Sequence, residues 1–250
     1  MPGSEHDDRQ EFEARKIEMA AKMATDHTLL QRARDVSFDA DVYEWTYQWN
    51  WLGLPVIQMP TDIIAMQELI WETKPQLIVE TGIARGGSLA LYATVLQIIG
   101  EGTVIGIDID LRPHNRQALT SHPLAHRFRL IDGSSTDPTV VQQVRELAQD
   151  CERVMVVLDS NHTHEHVLAE LEAYGSLVSP GQYLVVADTA IDEIPVQAHR
   201  PRPWAPGNSP LSAVNEWRTR HPEFDVDKVL EDKLLISSSR GGYLVRKQLT

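Results

Sequence analysis

Between residues 77 and 188, five short apolar runs alternate with stretches of helical periodicity, and most of the runs are followed closely by a carboxylate. The runs are 77–81, 104–109, 127–131, 153–158 and 183–187, and the helical stretches between them are 88–99, 116–120, 138–149 and 163–177. Most runs are apolar on both faces, so each strand needs cover on both sides. That requirement predicts a parallel sheet sandwiched by helices. Open sheets of this kind bind ligands beyond the carboxyl ends of their strands, where strand order reverses. Chemistry is therefore expected in the residues that directly follow each run.

The flanks extend this unit. At 250 residues the chain suits one large α/β domain with extensions better than two domains. Residues 1–60 read as an N-terminal tail, a helix and an aromatic-rich segment, and 61–250 as the main domain with a lid-like insertion at about 190–210. The first nine or so residues are expected to be disordered. A charged helix is expected over 10–34, with Phe12, Met19, Met23 and Leu30 on a narrow stripe that packs on the domain or on a second subunit. Tyr43, Trp45, Tyr47, Trp49 and Trp51 follow. Thr61 or Asp62 is expected to cap a helix over 63–73. The insertion holds Pro195, Pro201, Pro203, Pro206 and Pro210 and few apolar residues, and is too long for an ordinary connection. A helix at 211–220 and strands at 225–229 and 242–246 complete the chain.

Charge and cysteine content narrow the partners. The formal net charge is −13, which speaks against a nucleic-acid backbone as the main partner. Arg200-Pro201-Arg202-Pro203 is too short a basic block to change that. The single cysteine, Cys151, allows no intrachain disulfide and no thiolate zinc site. No apolar run approaches the ~20 residues of a membrane span, and the acidic N-terminal residues do not resemble a signal peptide. A cytoplasmic protein is expected, and the N-terminal helix with the aromatic surplus leaves room for a homodimer.

The most informative stretch is Val79-Glu80-Thr81-Gly82-Ile83-Ala84-Arg85-Gly86-Gly87-Ser88. It joins the first strand to its helix. Gly82, Gly86 and Gly87 allow a sharp bend and close approach of a ligand, Arg85 lies within the turn, and Ser88 opens a helix whose free N–H groups attract an anion. That anion is a pyrophosphate in a dinucleotide, or the methionine carboxylate in S-adenosylmethionine. Two details favour the second. The spacing is not Gly-x-Gly-x-x-Gly, and Glu80 places a carboxylate where an amino or sulfonium cation suits better than a pyrophosphate. Asp108, ending the second strand, can accept both ribose hydroxyls, as acidic residues also do in NAD enzymes. Asp132, Gly133 and Ser134 end the third strand and would border the adenine; helix capping explains Ser134 and Ser135 equally well.

Three segments resemble one family. Trp51-Leu52-Gly53-Leu54-Pro55-Val56-Ile57-Gln58, the Glu80 turn, and Leu158-Asp159-Ser160-Asn161-His162-Thr163-His164-Glu165-His166-Val167 are similar to the cephalosporin hydroxylase-like / rhamnosyl O-methyltransferase family, over roughly residues 40–246. The resemblance implies the class I, Rossmann-like methyltransferase fold, a seven-stranded sheet with an antiparallel last strand. It also implies S-adenosylmethionine as donor and often a divalent metal, with activities centred on sugar and antibiotic-pathway hydroxyls. The family commonly has Glu-Asp at the end of strand five, where this chain has Ala187-Asp188. Asp192 or Asn161 is a candidate replacement for the missing carboxylate.

Methyl transfer to a hydroxyl requires that the oxygen be aligned and its proton removed. Asp159 and Asp188 end adjacent strands, so they can converge on Mg²⁺ or Mn²⁺, hard ions that prefer oxygen; turn and capping chemistry is the plainer reading. His162, three residues after Asp159, is the expected base, since an imidazole suits proton transfer near neutral pH. His164 is assigned to substrate or a supporting shell and His166 to structure, because helical residues two apart face different ways. Of six tryptophans, Trp45, Trp49, Trp51 and Trp204 are placed near the cleft, with Trp49 and Trp204 offering faces to a sugar. The loop with His199, Arg200, Arg202, Trp204 and Asn208 is expected to close over the acceptor. The expected reaction is metal-assisted O-methylation of a rhamnosyl- or mannosyl-type hydroxyl in a glycolipid, oligosaccharide or glycosylated natural product. The alternatives are an antibiotic-pathway methyltransferase or cephem methoxylation partner, an NAD-dependent oxidoreductase, and a non-catalytic cofactor-binding protein.

Overall fold

The computed structural model describes residues 7–194 and 200–248. Helices α1 (Arg9–Ala24) and α2 (His27–Asp41) come first, followed by strands β1 (Trp49–Trp51) and β2 (Leu54–Val56), helix α3 (Pro60–Thr73) and strand β3 (Leu77–Thr81). Then come α4 (Gly87–Ile99), β4 (Thr103–Asp108), α5 (Pro113–Thr120), β5 (Phe128–Asp132), α6 (Pro138–Ala148), β6 (Val154–Leu158), α7 (His164–Tyr174) and β7 (Tyr183–Val186). The chain ends with α8 (Pro210–Arg218), β8 (Phe224–Val226), α9 (Lys228–Lys233) and β9 (Tyr243–Arg246). The main sheet has seven strands in the order β5-β4-β3-β6-β7-β9-β8. Only β9 runs antiparallel to its neighbours. This is the expected fold. Strand order reverses between β3 and β6, which pair in parallel with Thr81 opposite Leu158.

The strands at the centre are apolar on both faces for the expected reason. Every residue of β3, β6 and β7 is buried. One face packs on α3 and α4, and the other on α6, α7 and α8.

Five expectations need correction. The single helix over 10–34 is two helices, because Asp26 accepts the Leu29 N–H at 2.9 Å and so caps a new one. Arg9 already lies in α1, while residues 1–6 of the expected disordered tail lie outside the described residues. Neither Thr61 nor Asp62 caps α3, which starts one residue earlier on Pro60 with Met59 as N-cap. Thr61 instead donates to the Ile236 carbonyl. Asp62 accepts from Ser237 Oγ (2.5 Å), Ser238 N (2.8 Å) and the Tyr243 hydroxyl (2.9 Å), tying α3 to the loop before β9. The strand expected over 225–229 stops at Val226, since Asp227 caps α9 through the Leu230 N–H at 3.1 Å.

The fifth is the aromatic segment, which contains an unexpected hairpin. Leu52 (φ 46°) and Gly53 (φ 89°) turn β1 onto β2 with both central residues left-handed, the combination that matches strand twist in two-residue hairpins. Trp51 Nε1 donates to Thr94 Oγ1 on α4 at 3.0 Å. At the start of α4 a Cβ on Gly87 would stand 2.3 Å from the Pro55 carbonyl oxygen. The hairpin therefore lies directly on the first turn of α4. Gly87→Ala is expected to lower stability by roughly 2–3 kcal/mol in urea unfolding. Gly53→Ala, with nothing within 4 Å of its Cβ, should cost only about 1 kcal/mol through its left-handed backbone.

Candidate functional site

The strand ends at the β3–β6 switch point carry the expected residues, and the turn after β3 is held from two sides. Asp108 Oδ2 accepts from the Ile83 and Ala84 N–H groups, both at 3.1 Å, and Gly82 N donates to Ile107 O at 2.8 Å. Asp108 thus clamps the turn with one oxygen, and its Oδ1 accepts from Asp110 N at 2.9 Å. The glycines answer to the protein's own packing. A Cβ on Gly82 (φ 78°) would lie 2.2 Å from the Asp159 carbonyl oxygen, and one on Gly86 2.6 Å from Leu119 Cδ2. Each of the three glycines is thus required by close packing within the protein: Gly82 by the chain after β6, Gly86 by α5 and Gly87 by the hairpin. Arg85 is exposed beside Ala84, whose φ of 43° makes it the strained residue of the turn. No side chain caps α4.

Ser88 is the second residue of α4, whose N-cap is Gly86, and its hydroxyl turns inward and donates to Glu80 Oε2 at 2.9 Å. Glu80 is fully buried. Burial pushes its carboxyl up to about 8, against the opposing hydrogen bonds of Ser88 and Tyr92, with the Asp108 charge adding to the rise. Oε1 has no hydrogen-bond partner of ordinary geometry. A buried carboxylate with a free oxygen beside an uncapped helix start fits a ligand bearing both a cation and an anion, as the amino-acid end of S-adenosylmethionine does.

Asp132 stands in register with Asp108 at the next strand end and pairs with Arg116. Gly133 N donates to Asp108 O at 2.9 Å. Ser134 Oγ bonds to Thr136 Oγ1 at 3.0 Å, which is local turn chemistry.

Across the switch point, Asp159, His162 and Asp188 each offer one atom within 4.8 Å of the others. His162 Nε2 lies 3.4 Å from Asp188 Oδ2. Asp188 adopts a left-handed backbone (φ 55°) just after β7, which swings its carboxylate toward β6. The Asp159 carboxyl sits well above the usual carboxylate range, first through burial and then through the charges of Asp188, Glu80, Glu170 and Asp62. Two oxygens and an imidazole nitrogen around unbalanced negative charge fit a divalent cation. Neither expected replacement for the carboxylate at Ala187 takes part. Asp192 Oδ1 accepts from Gly207 N (2.8 Å) and Ser209 Oγ (2.6 Å), and Asn161 Oδ1 accepts from Thr163 N (2.9 Å). Ala187 lines a void of about 20 Å³ together with Asp62, Asp159 and Tyr243.

The three histidines after Asp159 separate: His162 precedes α7, while His164 and His166 lie two apart in its first turn and face different ways. His164, expected at the substrate, bonds α8 through Ser212 Oγ (2.8 Å) and Glu216 Oε2 (3.1 Å), so both its ring nitrogens have partners within the protein. His166 joins a polar cluster with Ser160 Oγ (3.0 Å) and Ser135 Oγ (3.2 Å), a structural position. His162 alone faces the cavity, edge-on to Trp204 at 4.7 Å and 85°.

That cavity, of about 280 Å³, is lined by His162, Asp188 and Trp204, by Ser37 and Asp41 of α2, and by Ser237 and Ser238 before β9, among others. Trp49, expected at the substrate, is not among its lining residues and meets Trp45 edge-on at 6.3 Å. Arg200, Arg202, Trp204, Ala205 and Pro206 of the proline-rich loop line the cavity. Arg200 Nη1 donates to Asp41 Oδ1 at 3.1 Å, and Asn208 Oδ1 accepts from His164 N at 3.0 Å. His199 lies outside the described residues. The α2 and 237–238 walls carried no legible signal, since Ser37, Asp41 and the serine run read as ordinary helix surface and loop.

The comparisons with known proteins place the chain in a family. The family model described as Rhamnosyl O-methyltransferase/CmcI matches residues 43–247. The chain is 30% identical over 223 residues to a rhamnosyl O-methyltransferase of Mycobacterium leprae, covering 84% of this chain and 91% of that protein. A rhamnosyl O-methyltransferase of Mycobacterium tuberculosis (strain ATCC 25618 / H37Rv) is 30% identical over 208 residues, covering 81% and 79%. The apo structure of CmcI-N160 shares the fold with a TM-score of 0.57 at 22% identity, over 81% of this chain and 78% of that one. The CmcI-D160 structure described with Mg and SAM gives 0.57 at 21% identity, with the same coverage. No helix among the described residues is long and apolar enough to cross a membrane. The chain belongs to the rhamnosyl O-methyltransferase/CmcI family and is an S-adenosylmethionine-dependent O-methyltransferase.

Proposed function

We propose that this enzyme methylates a hydroxyl of a sugar, of rhamnosyl or mannosyl type, in a glycolipid, oligosaccharide or glycosylated natural product, with His162 as the base and Asp159 and Asp188 holding a divalent cation. The observation that carries this reading is the convergence of the three side chains within 4.8 Å on a cavity walled by Trp204. A bound Mg²⁺ or Mn²⁺ would lower the pKa of the acceptor hydroxyl and orient it. His162 Nε2 accepts the hydroxyl proton, and Asp188, 3.4 Å away, stabilises the imidazolium that results. Trp204 fixes the His162 ring from the edge and presents an aromatic surface to sugar C–H groups. The loop over the cavity excludes water from the donor. The relatives named rhamnosyl O-methyltransferase support a sugar acceptor; the CmcI half of the family name supports the antibiotic-pathway reading, including cephem methoxylation.

Glu80 is the proposed anchor for the donor's cationic end, with Gly82–Ser88, Asp108 and the 132–134 turn around the rest. Its carboxyl titrates near 8 in the fold against an ordinary 4.5, so the folded apo-protein holds a proton there that the unfolded chain releases. Its contribution to apo stability is complete below about 4.5 and is lost as the pH rises to about 8. Glu80→Gln is therefore expected to raise the melting temperature of the apo-protein at pH 9 while weakening S-adenosylhomocysteine binding tenfold or more, about 1.4 kcal/mol, by calorimetry.

His162→Ala is expected to keep affinity for S-adenosylhomocysteine and Mg²⁺ and to lower kcat by about 10² to 10⁴-fold. If Mg²⁺ affinity falls in step with kcat, His162 is a ligand and not the base. Activity should vanish in EDTA and return with excess Mg²⁺ or Mn²⁺.

An acceptor screen with labelled methyl donor over rhamnosides, mannosides, catechols and 7-hydroxycephems separates the readings. Transfer to glycosides is expected; transfer to cephems alone replaces the sugar assignment with the antibiotic one.

A further inference from the structure

Two arginines of Arg200-Pro201-Arg202-Pro203 line the acceptor cavity, and their situations differ. Arg200 is committed within the protein. It donates to Asp41 at 3.1 Å and to the Tyr47 hydroxyl, and its guanidinium lies 4.9 Å from the Tyr47 ring centroid. Arg202 has no ion pair or hydrogen bond among the described residues; its contact is the Trp204 ring, 5.3 Å to the centroid. A guanidinium held over a ring face keeps its N–H fork available for a carboxylate or phosphate.

The segment that presents Arg202 is stiff. Pro201 and Pro203 fix the backbone on either side. Asn208 Nδ2 donates to Pro203 O at 2.9 Å, Ala205 and Asn208 exchange two backbone hydrogen bonds at 3.1 and 2.8 Å, and Asp192 holds Gly207 and Ser209. Little ordering remains to be done when a ligand arrives. Trp204 in turn stands against His162 at 4.7 Å, so one ring links the cation to the proposed base. In a chain with a net charge of −13, which repels anions at long range, a pre-oriented cavity arginine that makes no ion pair among the described residues is a selective feature.

We propose that the acceptor carries an anionic group, a carboxylate or a phosphate, near the hydroxyl to be methylated, and that Arg202 selects for it. This rests on the O-methylation reading of the same cavity and specifies its substrate class.

The test is a matched-pair binding experiment on the full chain with S-adenosylhomocysteine and Mg²⁺ present. Phenyl β-glucuronide is compared with phenyl β-glucoside, and glucose 6-phosphate with glucose, each by calorimetry against wild type and Arg202→Gln. At least one anionic probe is expected to bind fivefold or more tightly than its neutral twin, and the arm that does so identifies the anion. Arg202→Gln should bring that pair to within twofold, with an unchanged melting temperature because Arg202 is exposed. Equal binding within both pairs, or a preference that survives Arg202→Gln, overturns the proposal. Because no turnover is read, a failure of methyl transfer to any acceptor would count against the parent reading alone.

Discussion

The site depends on how closely the ends of β3 and β6 approach. The Asp159 carbonyl oxygen lies where a Cβ of residue 82 would be, 2.2 Å away, so only glycine lets the two strand ends meet. The cofactor turn and the Asp159 carboxylate are in consequence one rigid piece. Asp108 reinforces it from the far side by accepting two N–H groups of the turn. Methyl transfer needs the donor carbon and the acceptor oxygen aligned to within fractions of an ångström. The backbone contact at Gly82 fixes the glycine turn against the Asp159 segment without relying on flexible side chains, which is the alignment the proposed donor and metal sites would require.

A second constraint is charge. Glu80, Asp62 and Asp159 stand close together at the centre of the sheet's carboxyl edge, and burial raises all three carboxyls. Asp62 is stabilised by Ser237, Ser238 and Tyr243, so its demand is met within the protein. Glu80 and Asp159 are less well compensated: the first keeps a free oxygen and the second gathers like charges. Both carboxyls are therefore held towards the protonated form in the apo-protein, and in the proposed reading a cationic donor and a divalent ion would favour their ionised forms. Ala187 removes one further carboxylate from this cluster, and the imidazole of His162 stands within reach of the two that remain.

The acceptor side is assembled from parts distant in sequence. The loop after β7 is latched by Asp192, by Asn208 to the start of α7, and by Arg200 to α2. Helix α2 precedes the residues matched by the family model, yet it supplies Ser37 and Asp41 to the cavity. The donor half thus sits on the sheet, while the acceptor half depends on an N-terminal extension and a long loop, where substrate preference can vary without disturbing the switch point.

What the sequence determined by itself was the part governed by local periodicity and strand-end chemistry: the parallel sheet, the glycine turn, and Glu80, Asp108, Asp159 and Asp188 at strand ends; the antiparallel last strand was implied by the family resemblance. These were legible because a doubly covered strand has a distinctive apolar run and because carboxyl ends share one edge. The break at Asp26, the α9 start at Asp227 and the Leu52-Gly53 hairpin were local too, but each signal was outweighed by a neighbouring pattern. Other features were decided only by tertiary structure. Ser88 turns to Glu80, Asp62 ties α3 to the serine loop, His164 bonds to α8, and Asp192 holds Gly207 and Ser209. Each of these side chains had several partners within its chemical reach, and only the packing of helices and loops distant in sequence decided which partner stood at hydrogen-bond distance.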